Sequence, residues 1–413
     1  MFGDAIMAKF PRGFLWGTAT AAHQVEGNNC SSDLWLLEHL PHGLFADPSA
    51  DACDHYHRYR YDIALLKGLG FNCYRFSIEW ARIEPEAGSF SRAALDHYRR
   101  MIAECHAQGI IPMVTFHHFT APLWFAMEGG WENARSVDWF ARYCEQAVKA
   151  LGDLIPFACT INEANIPLMM TLMRAASKAN DAIARNHQLA AQKTGAQRFS
   201  TFLTGDGQAA TPHLLAAHRR SYDLIKAHSN AKVGMTLSLN EFQAAPGGEE
   251  LCAMARSQIN TQFLEAARGD DFVGVQTYTR VRIGESGPLS PEEGAERTQM
   301  GYEFYPEALE ATLREAARDA GTRLIVTENG IGCADDQRRI AYTERALKGV
   351  ERCLRDGLPV DGYIHWSLLD NFEWLEGYRP TFGLVEVDRQ TQARTPKPSA
   401  YWLGTIARRA QGQ

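Results

Sequence analysis

Thr160-Ile161-Asn162-Glu163 and Val326-Thr327-Glu328-Asn329-Gly330 are the two stretches from which the fold can be read. In each, a glutamate follows directly on a run of β-branched and apolar residues, the place where a buried strand ends. Strand-end glutamates are common, and either stretch alone says little. Together they ask for a closed fold, because only closure brings residue 163 against residue 328.

Working outward, short β-like runs alternate with amphipathic stretches along the whole chain. The predicted strands are 14–20, 73–79, 111–117, 157–163, 233–239, 272–278, 323–329 and 362–368. They are nearly continuous in apolar residues, as parallel strands covered on both faces should be. Helical patterns lie between them at 54–69, 91–108, 136–151, 214–227, 250–267, 306–320 and 343–356, with a last one at 399–409. Ser91 and Ser136 are placed to cap helices, Pro306 suits a first helical turn, and Gly70, Gly109 and Gly357 follow helix ends. Eight β/α units without a composition break predict an α/β fold, a single (β/α)8 TIM barrel spanning residues 1–413 as one domain. Such a barrel carries its chemistry at the carboxyl ends of the strands, where Glu163 ends strand four and Glu328 ends strand seven.

Bulk properties narrow the function classes. Hydrophobic residues make up 45% and charged residues 22%, and the formal charge is −7. That balance gives no reason to expect nucleic acid or an anionic membrane as partner. No apolar stretch is long enough to span a bilayer. Residues 1–9 contain Asp4 and lack a basic region and a long apolar core, which argues against a secretory signal. The nine cysteines are scattered without CxxC pairs or zinc-like spacing. With Cys53, Cys73, Cys105, Cys144 and Cys159 inside apolar-periodic segments, buried reduced thiols in a cytoplasmic protein are expected.

Two carboxylates facing across one pocket are the minimum equipment for hydrolysing a glycosidic bond with retention, roughly 5–5.5 Å apart. One attacks the anomeric carbon; the other protonates the leaving oxygen and then activates water. The nucleophile therefore needs cationic and hydrogen-bonding neighbours, and the acid a drier or more anionic setting. Arg75, inside an otherwise apolar strand, can supply the cation. Asn162 can offer an amide to a sugar hydroxyl, and Tyr278 can donate to the nucleophile. Platforms and polar groups for a sugar also sit at strand ends: Gln24 to Gly27, His117-His118-Phe119, and Trp366 through Glu373 and Trp374. Side chains alternate along a strand, so one of the paired histidines faces away; His118 is assigned to the ligand and His117 to structure.

The chain resembles glycoside hydrolase family 1, the β-glucosidase family. The resemblance is carried by the segments that begin Phe14-Leu15-Trp16-Gly17 and Tyr74-Arg75-Phe76-Ser77, by the two glutamate stretches, and by the segment from Trp366 to Leu384. It implies Glu163 as acid/base and Glu328 as nucleophile, with Arg75 and Tyr278 supporting the latter. It implies Gln24, His118, Asn162, Glu373 and Trp374 as partners of the non-reducing sugar, Trp366 as its stacking floor and Phe382 as part of its wall. No metal or organic cofactor is implied, and the expected partner is a small β-glycoside, most often a β-D-glucoside, with galactosides and fucosides as side substrates.

Four departures mark this chain. Phe119 stands where the family usually has tryptophan, removing an indole donor worth roughly 0.5–1.5 kcal/mol. Ala164 follows Glu163 in place of proline. Strand six ends Gln276-Thr277-Tyr278 rather than Asn-Tyr-Tyr. Residues 166–196 read as helix-forming and methionine-rich (Met169, Met170, Met173), and the segment after strand five is short; the methionines either pack a lengthened helix or widen an apolar entrance for bulky aglycones. Three other activities fit the fold. A 6-phospho-β-glycosidase is disfavoured by Glu373-Trp374, whose carboxylate would repel phosphate. A transglycosylase would share the first half-reaction. A silent carbohydrate-binding protein would have no need of both glutamates with Arg75, Asn162 and Tyr278. No exposed apolar stripe fixes an oligomeric state, and monomer and dimer fit equally.

Overall fold

All eight apolar runs form strands, each parallel to its neighbours. They are β1 (Leu15–Ala19), β2 (Cys73–Ser77), β3 (Ile111–His117), β4 (Phe157–Ile161), β5 (Lys232–Ser238), β6 (Phe272–Gln276), β7 (Leu324–Glu328) and β8 (Val360–Trp366). β1 pairs with β2 through Gly17 and Cys73, and with β8 through Leu15 and Gly362, so the sheet closes into a barrel without an edge. The structure is a computed structural model that describes residues 10–174 and 179–412. Residues 1–9, the stretch expected not to be a secretory signal, lie outside the described residues.

The strands are apolar on both faces because both are buried. Inside the barrel, Leu15, Cys73, Met113, Cys159, Phe272, Ile325 and Ile364 fill one cluster. Outside it, Val114, Ala158 and Val233 belong to a larger layer shared with Ala147 and Val148 of helix Ser136–Leu151 and Leu214 and Ala217 of helix Gly207–His228. Polar residues enter the interior near the carboxyl end, where Arg75, Thr236 and Gln276 are buried. Two small sheets sit on the same chain: Glu241–Ala244 with Arg280–Gly284 and Gly287–Pro288, and Val385–Val387 with Arg394–Pro396. Among the described residues no helix is long and apolar enough to cross a membrane.

Helix punctuation agrees in most places and differs in others; the helix expected over 214–227, for one, begins at Gly207, because Asp206 caps it by accepting the Gln208 N–H at 2.9 Å. The Ser91 hydroxyl accepts from the Ala94 N–H at 3.2 Å, and Gly70, Gly109 and Gly357 all have positive φ. Ser136, however, is the first residue of its helix rather than the cap. Asn133 accepts the Arg135 N–H with its side chain at 3.0 Å, so the chain enters the helix one residue early. Pro306 lies in the turn ahead of helix Ala308–Ala320. The helix expected from 343 begins at Asp336, because Asp335 caps it by accepting the Gln337 N–H at 2.9 Å. The methionine-rich segment is helical over Ile166–Arg174 and over Ala179–Thr194; residues 175–178 between them lie outside the described residues.

One close approach positions the helix that leaves β4. Gly207 opens helix Gly207–His228 against the first turn of helix Ile166–Arg174, and a Cβ there would lie 2.1 Å from the Pro167 carbonyl carbon. Alanine normally favours a helix over glycine. Here the clash should reverse that sign, making Gly207→Ala about 1–3 kcal/mol less stable by equilibrium unfolding. An unchanged or higher midpoint would mean the two helices are free to part.

Candidate active site

Glu328 is the last residue of β7, and the pairing slips just before it. Val326 faces Val275 of β6, yet Glu328 faces Gln276, so two residues of β7 oppose one. A bulge of this kind re-aims a side chain at a strand end. Glu163 comes two residues after β4 and holds a left-handed backbone, with φ of 48°. Phe119 and Trp374 share that conformation, at 69° and 51°. Each such non-glycine residue costs on the order of 1–3 kcal/mol and persists only where its surroundings over-determine it. Around Glu163 they do. Its carbonyl accepts from the Ile166 N–H at 2.8 Å, and its own N–H points to the Thr236 hydroxyl at 3.4 Å. The Asn165 amide clamps the neighbouring backbone, donating to the Ser238 carbonyl at 2.7 Å and accepting from the Ser238 N–H at 3.0 Å.

The two carboxyls have unequal neighbours. Glu328 accepts from Arg75 Nη1 at 2.6 Å with one oxygen and from the Tyr278 hydroxyl at 2.6 Å with the other. Glu163 receives neither, and only the nearby Ser238 hydroxyl and the more distant Arg75 charge offset its burial in part. Burial raises the pKa of both, but Arg75 and Tyr278 pull Glu328 back down. Glu163 is pushed much further, first by burial and then by the negative charge of Glu328. In the pair the proton therefore belongs to Glu163 and the charge to Glu328.

Arg75 also organises the rest of the pocket. Its second nitrogen donates to Asn162 Oδ1, which further accepts from Gln276 Nε2 at 2.9 Å and Thr236 Oγ1 at 3.0 Å. Three donors on one oxygen fix the amide's orientation and turn Asn162 Nδ2 towards His118 Nε2, 3.2 Å away. His118 is buried and its pKa falls well below the ordinary value, first through burial and then through the Arg75 charge. It is neutral, with Nε2 as acceptor and the proton on Nδ1. His117 instead packs among Trp131, Phe140 and Phe202 on the outer side.

The remaining predicted residues converge on the same mouth. His118 stacks between Trp366 and Trp374, at 5.7 and 6.0 Å between centroids, and Phe119 meets Trp374 at 5.0 Å. Gln24 Nε2 donates to the Phe372 carbonyl at 2.7 Å and approaches Glu373 at 3.4 Å. Phe382 sets its edge against Tyr278 at 6.0 Å. Loss of water around Glu373, and then the charge of Glu328, push its pKa up to about 8. Among the described residues, Gln24 Oε1 and His118 Nδ1 meet no hydrogen-bond partner although both are buried. Also among the described residues, no three His, Cys, Asp or Glu side chains are grouped to hold a metal ion.

Several neighbours carry little or no signal in the sequence. Thr236 is detectable only as a polar residue within an apolar strand, and Gln276 only as a departure from the family pattern. Tyr302, whose phenol feels the charges of Glu373 and Glu163, arrives from a loop with no distinguishing pattern. His23 stacks behind Trp374 at 5.9 Å and 5° between planes while its ring nitrogen meets Glu38 at 2.6 Å. That support depends on residues far apart in the chain.

Comparison with known proteins places this geometry in context. The model of the family described as Glycosyl hydrolase family 1 matches residues 6–266 and 261–411. A 1,4-beta-D-glucan glucohydrolase of Thermotoga neapolitana is 31% identical, covering 97% of this chain and 98% of its own. Beta-glucosidase A of Thermotoga maritima is 31% identical with the same coverage of 97% and 98%. Among solved structures, the beta-glycosidase BGL167 is 53% identical with a TM-score of 0.93, covering 97% of each chain. A Thermotoga maritima beta-glucosidase in complex with glucoimidazole is 28% identical with a TM-score of 0.85, covering 97% of this chain and 99% of its own.

The unequal carboxyls make a titration test. Glu328→Gln removes the charge that holds the Glu163 proton on, so the Glu163 pKa should fall, read by carbon NMR of labelled glutamate. Tyr278→Phe should raise the pKa of Glu328. An unmoved Glu163 in the first variant would show that the two groups do not share one field.

Proposed function

Because the chain belongs to glycosyl hydrolase family 1 and is a glycoside hydrolase, we propose that it is a retaining β-glucosidase acting on terminal non-reducing β-D-glucosyl residues. The observation that carries this reading is the inequality of the two glutamates: Arg75 and Tyr278 both bond Glu328, and neither bonds Glu163. In the first step the Glu328 carboxylate attacks the anomeric carbon while Glu163 delivers its proton to the leaving oxygen. In the second, Glu163, now ionised, takes a proton from water, whose oxygen attacks the same carbon and releases Glu328. As Glu328 gives up its charge in the first step, the electrostatic force holding the proton on Glu163 weakens, which assists the transfer.

The sugar would use polar atoms of the pocket that lack partners inside the protein, together with Glu373. The His118 Nδ1 proton and the second Asn162 N–H can donate to hydroxyls, Gln24 Oε1 can accept from one, and Glu373 can bridge two. Trp366 offers a floor for the sugar's C–H face, Trp374 and Phe382 the sides, and Phe119 an apolar edge where no donor is present. Galactosides and fucosides differ at hydroxyls that such a set holds by one or two bonds, so they are expected side substrates. We read residues 1–413 as one catalytic domain, and the free thiols, most of them buried, suit a cytoplasmic setting.

Glu328→Ala should lower kcat on an aryl β-glucoside by at least about 10³-fold. Azide should restore turnover and yield a glycosyl azide of inverted configuration, identified by NMR. Full activity in that variant would remove the mechanism. The pH profile should be bell-shaped: activity needs Glu328 ionised and Glu163 protonated, so it is lost below the Glu328 pKa and above the Glu163 pKa. Burial raises both values, which moves the whole bell upward from the ordinary carboxyl range.

A further inference from the structure

Glu163 keeps its left-handed backbone in a short turn between Ile161, the end of β4, and Ile166, the start of the next helix. The direction of its side chain follows from that backbone, and misplacing a catalytic group by about 1 Å can cost roughly 10²-fold in rate. Ala164 brings no polar side chain to the turn, and Asn165 brings one that is fully buried and bonded at both ends. Its Nδ2 donates to the Ser238 carbonyl at 2.7 Å and to the Ile259 carbonyl at 3.0 Å, and its Oδ1 accepts from the Ser238 N–H at 3.0 Å. Only one orientation of the amide meets all three groups, so these bonds fix the side chain and the backbone that carries it.

The Ile259 carbonyl belongs to an irregularity far along the chain. Arg256–Thr261 is a turn of π-helix set between the α-helical stretches Glu249–Ala255 and Gln262–Ala266. Such a turn widens the helix, shifts its hydrogen-bond ladder and is found frequently at functional sites. The residue after Ile259 reaches the exit of β5 as well. Asn260 Nδ2 donates to the Asn240 carbonyl at 2.9 Å and to Glu315 of helix Ala308–Ala320 at 3.2 Å. Two buried amides therefore grip that exit, Asn165 at Ser238 and Asn260 at Asn240. Ser238 bears in turn on Glu163, because its nearby hydroxyl offsets part of the carboxyl's burial.

We infer that Asn165, tied to the π-helical turn at Ile259, is a positioning residue for the acid/base, holding Glu163 in reach of the leaving oxygen. Glu328 is held by Arg75 and Tyr278 instead. This rests on the reading of Glu163 as the acid. Loosening Asn165 should then impair only the two proton transfers, donation to the leaving oxygen and removal of a proton from water.

The test compares kcat/KM on 2,4-dinitrophenyl β-glucoside, whose leaving group departs without a proton, and on phenyl β-glucoside, whose leaving group needs one. Glu163→Ala sets the reference pattern, a heavy loss on the phenyl substrate and little on the other. Asn165→Leu should lose at least about ten-fold on the phenyl glucoside and stay within about two-fold on the dinitrophenyl one. Azide should raise the dinitrophenyl kcat of that variant and yield a glucosyl azide of retained configuration. It attacks the anomeric carbon without a base, and the Glu328 carboxylate leaves. Equal losses on both substrates, as a merely loosened fold would give, overturn the inference, and so does no loss on either. Should Asn165→Leu fail to fold, Asn260→Leu, which cuts the hold on Asn240, must show the same split between substrates, and an even loss or none there overturns the inference too. A Glu163→Ala enzyme without the reference pattern sinks the reading of Glu163 as the acid. That pattern in Glu163→Ala but not in Asn165→Leu sinks this inference alone.

Discussion

A guanidinium buried inside the barrel is the constraint on which the site depends. Arg75 is almost fully enclosed, and a charge there is tolerable only if every neighbour is arranged around it. Glu328 supplies the opposing charge and Asn162 a carbonyl oxygen, while Thr327 adds its backbone carbonyl at 3.4 Å. Removing one partner of such a pair would cost about 3–5 kcal/mol, because the other would remain buried and uncompensated. The same bonds that make the arginine tolerable also choose the ionised carboxyl. They fix the Asn162 amide and, through it, the proton on His118. Stability of the barrel interior and readiness of the site are one arrangement.

Backbone geometry forms the second layer. The bulge before Glu328 and the left-handed turn at Glu163 sit on strands three places apart in the chain, and both aim carboxyls at one mouth. Neither conformation is favourable alone. The turn at Glu163 is held by Asn165 onto Ser238, Thr236 towards the Glu163 N–H, and Gly207 against Pro167, while the Glu328 carboxyl is held by Arg75 and Tyr278. Ala164 is fully buried, and the contacts that hold this turn come from its neighbours Glu163 and Asn165.

Much of this is legible in the chain. The eight strands fall where the apolar runs are, because burial on both faces leaves a continuous signature. Helix ends are readable where glycine supplies a left-handed cap, and misleading at Ser136, where Asn133 starts the helix by another route. The residues of the proposed sugar pocket stand out because polar and aromatic side chains at strand ends are unusual in an apolar pattern. Tyr302 and His23 do not, for the opposite reason: they come from segments whose local pattern says nothing of the pocket. The methionine segment is distinctive in sequence, but its partners in 241–259 and 281–288 cannot be guessed from it.

What the sequence determined by itself is the set of parts: eight alternating units, two glutamates at strand ends and an arginine that could not be left unpaired. Those come from local rules, since burial, periodicity and caps are written over a few residues at a time. Tertiary structure alone decided which carboxyl keeps the proton, which nitrogen of His118 carries one, and that three separate segments enclose an apolar hollow lined by Met169, Phe242 and Ile283. Each of these depends on charges and surfaces far apart in the chain sharing one space of low dielectric, and only the closed barrel creates that space.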